Sequence, residues 1–105
     1  MTIPAKSWVW EKQGLIFRPD ASRPWMRTHA AVPTPMQIEG SRYRIYFSSR
    51  DDANHSHVGF FDLDLDQPTR VLASSADPVL APGPIGCYDA DGIYAESAVR
   101  HGDQV

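Results

Sequence analysis

Between residues 42 and 66 the chain alternates apolar and polar side chains in two runs, 42–49 and 57–66, separated by the polar, turn-rich segment 50–56. Successive side chains of a strand point to opposite faces, so alternation with a period of two marks a strand, and two such runs around a turn segment specify an antiparallel hairpin. In the first run Tyr43, Ile45 and Phe47 share one face, with Arg42, Arg44, Tyr46 and Ser48 on the other. In the second run Val58, Phe60 and Asp62 oppose Gly59, Phe61, Leu63 and Leu65. Both faces therefore carry apolar residues, as expected of the interior of a larger β structure.

The rest of the chain cannot build long helices. Nine prolines, spread from Pro4 to Pro84, together with the glycines interrupt nearly every possible helix before it completes three turns. The fold expected is all-β, with antiparallel hairpins and long loops. Short strands are expected at residues 15–17 after the Gly14 turn, at 29–32 between proline-rich loops, at 70–73, at 78–80 and at 92–100. His101-Gly102-Asp103 reads as a turn, after which Gln104 and Val105 would begin a further strand.

A chain of 105 residues is about one domain's worth, so residues 1–105 are read as a single domain. The formal charge is −3 and the 10 basic residues are scattered, which gives no electrostatic footprint for nucleic acid. The single cysteine, Cys87, excludes an internal disulfide framework and suits a reducing compartment. The amino terminus lacks the basic segment and unbroken apolar run of a signal peptide, and no stretch is long enough to span a bilayer. A cytoplasmic protein with no membrane partner is expected, and the sequon-like Asn54-His55-Ser56 then has no glycosylation role.

The order of several motifs resembles that of a known family. Trp10, Gly14-Leu15-Ile16-Phe17, Trp25, His29, Pro33, the run 42–47, Arg50-Asp51, the segment 54–57, Pro78-Val79-Leu80, Pro82-Gly83 and the segment 86–92 resemble the opening of the glycosidase-like five-bladed β-propellers. That superfamily includes arabinanases and β-xylosidases, with β-mannoside phosphorylases as relatives. A propeller closes its ring with four to eight blades of four strands, and at roughly 40 to 50 residues per blade this chain supplies about two. The resemblance therefore implies a partial propeller, the first third or so of such a protein, apparently truncated at its carboxyl terminus. Open blade edges would then favour self-association.

Glycoside cleavage in most families uses two carboxyl groups flanking the scissile bond. By the resemblance, Asp89 in the segment 86–92 matches the first acidic residue of the family's Gly-x-Phe-Asp-Asp-Ser-Gly-like motif and is the leading catalytic candidate. Asp91 is a substrate-binding candidate in the same loop. Ala90 and Asp91 depart from the family's aspartate and serine, and Ala95 replaces a usual proline. The competing reading makes Asp89 and Asp91 ordinary turn residues that bond their own backbone. Arg50 and Asp51 match an Arg-Asp pair that closes a strand at the family's sugar-binding end, since an arginine fork can hold sugar hydroxyls or a carboxylate. A solvated loop in which the pair serves itself is the alternative.

His29 is a pocket-facing residue under the resemblance, or else a satisfied half-buried histidine. Trp25, in a loop after Pro24, is the aromatic most readily assigned to a sugar platform, although aromatic residues of β proteins are core by default. His55 and His57 fall on one strand face but lack a third ligand nearby, so no metal site is expected. Cys87 has no adjacent base, and no residue set calls for a cofactor. The resemblance implies a sugar ligand and a glycoside hydrolase or phosphorylase-like activity. The alternatives are a non-catalytic β module for carbohydrate binding or self-association, and a truncated product without activity.

Overall fold

The computed structural model describes residues 7–105. Pro4 and the first residues of the leader reading lie outside the described residues. Four strands form, β1 (Ala31–Glu39), β2 (Arg42–Arg50), β3 (Ser56–Asp64) and β4 (Gln67–Ser74), in one antiparallel sheet of order β1-β2-β3-β4. No helix occurs among the described residues, in keeping with the all-β class read from the prolines.

The hairpin of residues 42–66 is the centre of this sheet. β2 and β3 pair without interruption from Arg42 opposite Asp64 to Arg50 opposite Ser56. That register places Ile45 beside Phe61 and Tyr43 beside Leu63 on one face, and Arg44 beside Asp62 and Tyr46 beside Phe60 on the other. The faces are those given by the alternation.

The first face carries the core. Trp25, Met26, Phe47, Phe61 and Leu63 are buried together, with Ile16, Phe17, Tyr43, Ile45 and Val71 packed around them. Burying each large apolar side chain contributes about 1.5–3 kcal/mol. Phe17 stacks on Phe61 with ring centroids 4.4 Å apart, and Trp25 stacks on Phe47 at 6.1 Å. The second face is held by polar chemistry. Arg44 grips Asp62 through two bonds, Nε to Oδ1 at 2.9 Å and Nη2 to Oδ2 at 3.0 Å. Its guanidinium also lies 3.8 Å above the centre of the Phe60 ring, so one arginine joins an ion pair to a cation–π contact.

Several strand expectations are corrected. Residues 15–17 form no strand; Ile16 and Phe17 instead supply side chains to the core. The strand expected at 29–32 becomes β1, which starts at Ala31 and runs through Pro33 and Pro35 to Glu39, then returns over the two-residue turn Gly40-Ser41. Prolines are tolerated there because β1 is an edge strand whose outward nitrogens need no partner. The register shifts between Ala31 and Thr34, around Pro33, where Val32 takes φ 50°. Beyond it Thr34 is buried, its Oγ1 donating to the carbonyl of Ala95 at 3.2 Å.

Residues 78–80 and 92–100 also fail to become strands. Their backbone pairs with β3 only at isolated bridges, Leu80 with Val58 and Gly92 with Ser56. The turn at 101–104 does form, with His101 and Gln104 exchanging backbone bonds of 2.8 and 3.1 Å. Where the motif count gave about two blades, the described residues hold one four-stranded sheet. Residues 78–80 run beside Val58 of β3, while residues 92–100 leave β3 at Ser56 and reach β1, where the Ala95 carbonyl accepts from Thr34.

Gly59 is the tightest point of the core face. A Cβ there would fall inside the Trp25 ring at Cη2 and Cζ3 and 2.9 Å from Ser75 Oγ, so neither the rigid indole nor the Ser75 hydroxyl leaves it room. Replacing Gly59 with Ala is expected to lower stability by about 1–3 kcal/mol, the usual cost of overpacking a filled core. Urea unfolding followed by tryptophan fluorescence measures this, and an unchanged midpoint would contradict the packing described.

Candidate functional site

The end of the sheet where β2 passes into β3 gathers most of the polar residues singled out in the sequence. The hinge, residues 51–55, is organised by Asp51. Its amide donates to the His55 carbonyl at 3.1 Å and its carbonyl accepts from the Asn54 amide at 3.1 Å. Its Oδ1 accepts from the His55 amide and its Oδ2 pairs with His57 Nε2, each at 2.9 Å. Asn54 takes φ 64°, a left-handed conformation that asparagine adopts more readily than most residues. Partial burial pushes the Asp51 carboxyl up, but the bonds from His57 and from the His55 amide outweigh it and hold the group below its ordinary value.

Arg50 closes β2 and faces the last third of the chain. Its Nη1 donates to Asn54 Oδ1 and its Nη2 to the Tyr94 hydroxyl, both at 3.0 Å, while Nε is buried with no hydrogen-bond partner. Hydrogen bonds from Ser56 and then Arg50 lower the Tyr94 hydroxyl below the usual phenol range. Tyr94 reaches this position because Gly92 bridges to Ser56 and the Ile93 amide donates to the Ser56 carbonyl at 3.1 Å. Gly92 has φ 152° and its Cα faces the Ser56 amide so closely that a Cβ would lie 2.8 Å from that nitrogen. Only glycine fits both conditions. The same crossing carries Asp91 to 3.8 Å from His55 Nε2, with the Asp91 carboxylate fully exposed.

The amino-terminal segment completes this end. The Arg27 amide donates to the Arg50 carbonyl at 2.9 Å and its side chain pairs with Asp52 at 3.2 Å. His29 lies between that bond and the pairing of Ala31 with Ser48, half-buried, with Nδ1 2.9 Å from Thr28 Oγ1. An open groove of about 340 Å³ runs beside the hinge, lined by Pro24, Trp25, Asp51, Asp52, Ala53 and His57.

The structure thus brings Arg50, Asp51 and Asp91 together and seats His29 on the chain that borders them. Both carboxylate oxygens of Asp51 are already engaged, Oδ1 by the His55 amide within the loop and Oδ2 by His57 of β3. Trp25 lines the groove but is 6 % exposed, its Nε1 donating to the Ala76 carbonyl at 2.9 Å. Its packing is that of a core residue, not of a platform standing in solvent. Asp89 makes no contact with the hinge residues. Its carboxylate lies against the backbone of Gly83, and its carbonyl accepts from the amides of Gly83 and Gly92. Sequence reasoning missed Tyr94 altogether and saw His57 only as half of a metal pair. The signal for Tyr94 was its place two residues past a glycine that had to touch β3; the signal for His57 was its location across the turn from Asp51. Among the described residues no group of three or more His, Cys, Asp or Glu is arranged to hold a metal ion. No helix among them is long and apolar enough to cross a membrane.

The lowered Asp51 value has a consequence for stability. A carboxyl depressed on folding stabilises the folded state above the unfolded value of about 4, and that contribution is lost as pH falls through the folded value. Asp51→Asn is therefore expected to be less stable than the parent at pH 7, with the difference closing as pH falls below about 4. Urea midpoints of both proteins across pH 2–7 measure it; a difference constant over that range would contradict the assignment.

No family model matches the chain, and no solved structure gives a significant match. The chain is similar to two proteins of Mycobacterium tuberculosis described as uncharacterized, MT1551 of strain CDC 1551 and Rv1502 of strain H37Rv. Each is 45% identical over 95 residues, which cover 90% of this chain and 32% of the relative. The chain spans about a third of the length of the curated relatives it matches.

Proposed function

We propose that the chain is the opening part of a carbohydrate-active five-bladed propeller of the glycoside hydrolase or phosphorylase-like kind. The observation that carries this reading is the convergence of Arg50, Asp91 and Tyr94, with the groove beside Trp25 and His57, at one end of a four-stranded sheet. The form of the sheet supports this reading. It is an up-and-down run of four antiparallel strands over residues 31–74, and a blade takes four strands in roughly 40–50 residues. Coverage of about a third of the relatives' length is consistent with further blades in proteins of that size.

On this reading Arg50 binds sugar hydroxyls or a carboxylate through donors presented at the rim, and Asp91 accepts from a hydroxyl. Asp89 is the carboxylate proposed for the chemistry, its loop being anchored to β3 through Gly92. A non-catalytic module that associates with itself is the second reading. It is supported by the fully exposed apolar side chains of Ile85 and Tyr88 in the same loop.

A panel of chromogenic glycosides, assayed with and without inorganic phosphate, tests the first reading on the parent and on Asp89→Asn and Arg50→Ala. Turnover is expected in the parent and is expected to fall by about 10²–10⁴ in Asp89→Asn, the usual contribution of a positioned acid or base. Turnover unchanged in Asp89→Asn would remove that residue from the mechanism. Absence of both turnover and binding for every glycoside in the panel would overturn the reading.

A further inference from the structure

Two apolar features of this chain stand outside the proposed sugar site. The first is a groove of about 290 Å³ on the second face of the sheet. It is lined by Tyr46 of β2 and Val58 of β3, by Val79 and Leu80 of the following loop and by Ala98 and Val99 of the last segment, and none of its lining residues is charged. These walls are tied to the sheet. The Val58 amide donates to the Leu80 carbonyl at 2.9 Å, the Val79 amide donates to the Val58 carbonyl at 2.8 Å, and the Ala95 carbonyl accepts from Thr34. The groove is therefore preformed, yet Leu80 and Val99 remain 56 % and 75 % exposed.

The second feature is the loop tip, residues 84–88. Ile85 and Tyr88 are fully exposed there, and no charged residue occurs between Asp77 and Asp89. The tip is braced. The Gly83 amide donates to the Asp89 carbonyl at 3.2 Å and closes the neck of the loop, the Asp89 carboxylate packs on Gly83, and the Cys87 amide donates to the Pro84 carbonyl at 3.0 Å. Pro82 and Pro84 fix two further φ angles. Two large side chains held out in water by a closed loop meet little further ordering cost on binding.

We propose that a second copy of this chain covers both features, the tip of one copy seating Ile85 and Tyr88 in the groove of its partner. The tip does not fill the groove of its own copy, since both side chains stand fully exposed in the folded chain. An uncharged knob and an uncharged groove suit each other, because the buried centre of a protein interface is depleted of charge and is anchored by large side chains seated in pockets. Residues 79 and 80 line the groove and residues 85 and 88 form the tip of the same loop. A two-fold axis beside that loop lets each copy give its tip and receive the other, which closes the assembly as a dimer. The contact uses neither sheet edge. It is independent of the sugar reading and supplies the surfaces for the self-associating one.

Analytical ultracentrifugation of the full chain over a concentration series is expected to show a monomer–dimer equilibrium. Ile85→Asp at the tip and Val99→Asp at the groove, both at exposed positions that folding tolerates, are each expected to weaken it by about tenfold or more. Disulfide trapping locates the contact. The parent, whose single cysteine Cys87 is exposed in the tip, is mixed with the double variant Cys87→Ser, Ser97→Cys, whose only thiol lies in the groove, and oxidation is expected to join the two chains. A chain that stays monomeric at every concentration, a dimer indifferent to both aspartate substitutions, or oxidation that joins only like chains would overturn the proposal. Glycoside turnover by a monomer would overturn it and leave the sugar reading standing; a dimer of this kind that neither binds nor cleaves glycosides would do the reverse.

Discussion

The contact of the Trp25 indole with the bare backbone of Gly59 is the constraint on which the rest of the structure depends. Trp25 comes from a loop, not from the sheet, yet it is buried against Phe47 and tied by its Nε1 to the carbonyl of Ala76 beyond β4. One side chain thus joins the segment before the sheet, the centre of the sheet and the segment after it. Gly59 makes the join possible because any side chain there would occupy the space of the ring. Phe17 continues the same layer by stacking on Phe61. A single sheet needs its apolar face covered, and here irregular chain does the covering.

The other side of the sheet is stabilised differently, and the contrast explains how the hinge is aimed. Arg44, Asp62 and Phe60 form a three-part contact that fixes β2 against β3 near the middle of the pair. The hydrogen bond to Asp62 raises the Arg44 guanidinium above its ordinary value, so the arginine stays charged. With the middle fixed, the register delivers Arg50 opposite Ser56 and leaves the five residues between them as a closed loop. Ser56 then accepts the crossing of Gly92 and Ile93, which brings Tyr94 and Asp91 alongside. The candidate site is the product of one register and one crossing.

Much of this was legible in the sequence. Alternation assigned β2, β3 and their faces, because a strand with two neighbours must show its period in the side chains it buries. β1 was legible only at its start, since Pro33 and Pro35 look like terminators until the strand is known to lie at an edge. Residues 92–100 alternate like a strand, yet alternation reports a capacity to pair and not the presence of a partner. At the site, Arg50, Asp51 and Asp91 were found as polar residues in turn segments. The roles of His57 and Tyr94 were not, because each depends on a contact across strands or across more than 40 positions of chain. Trp25 was legible as a loop residue beside Pro24, but its burial was not, because that depends on Gly59 lying beneath the ring.

Core and candidate site both depend on the β2–β3 register, because a slip of one residue would turn Phe47 and Phe61 out of the core and move Arg50 off the site. Cross-strand nuclear Overhauser effects between backbone protons of β2 and β3 measure that register directly. Contacts are expected that place Ser48 opposite Val58, Tyr46 opposite Phe60 and Arg44 opposite Asp62. Contacts displaced by one residue, with Tyr46 opposite Gly59 or Phe61, would contradict that register.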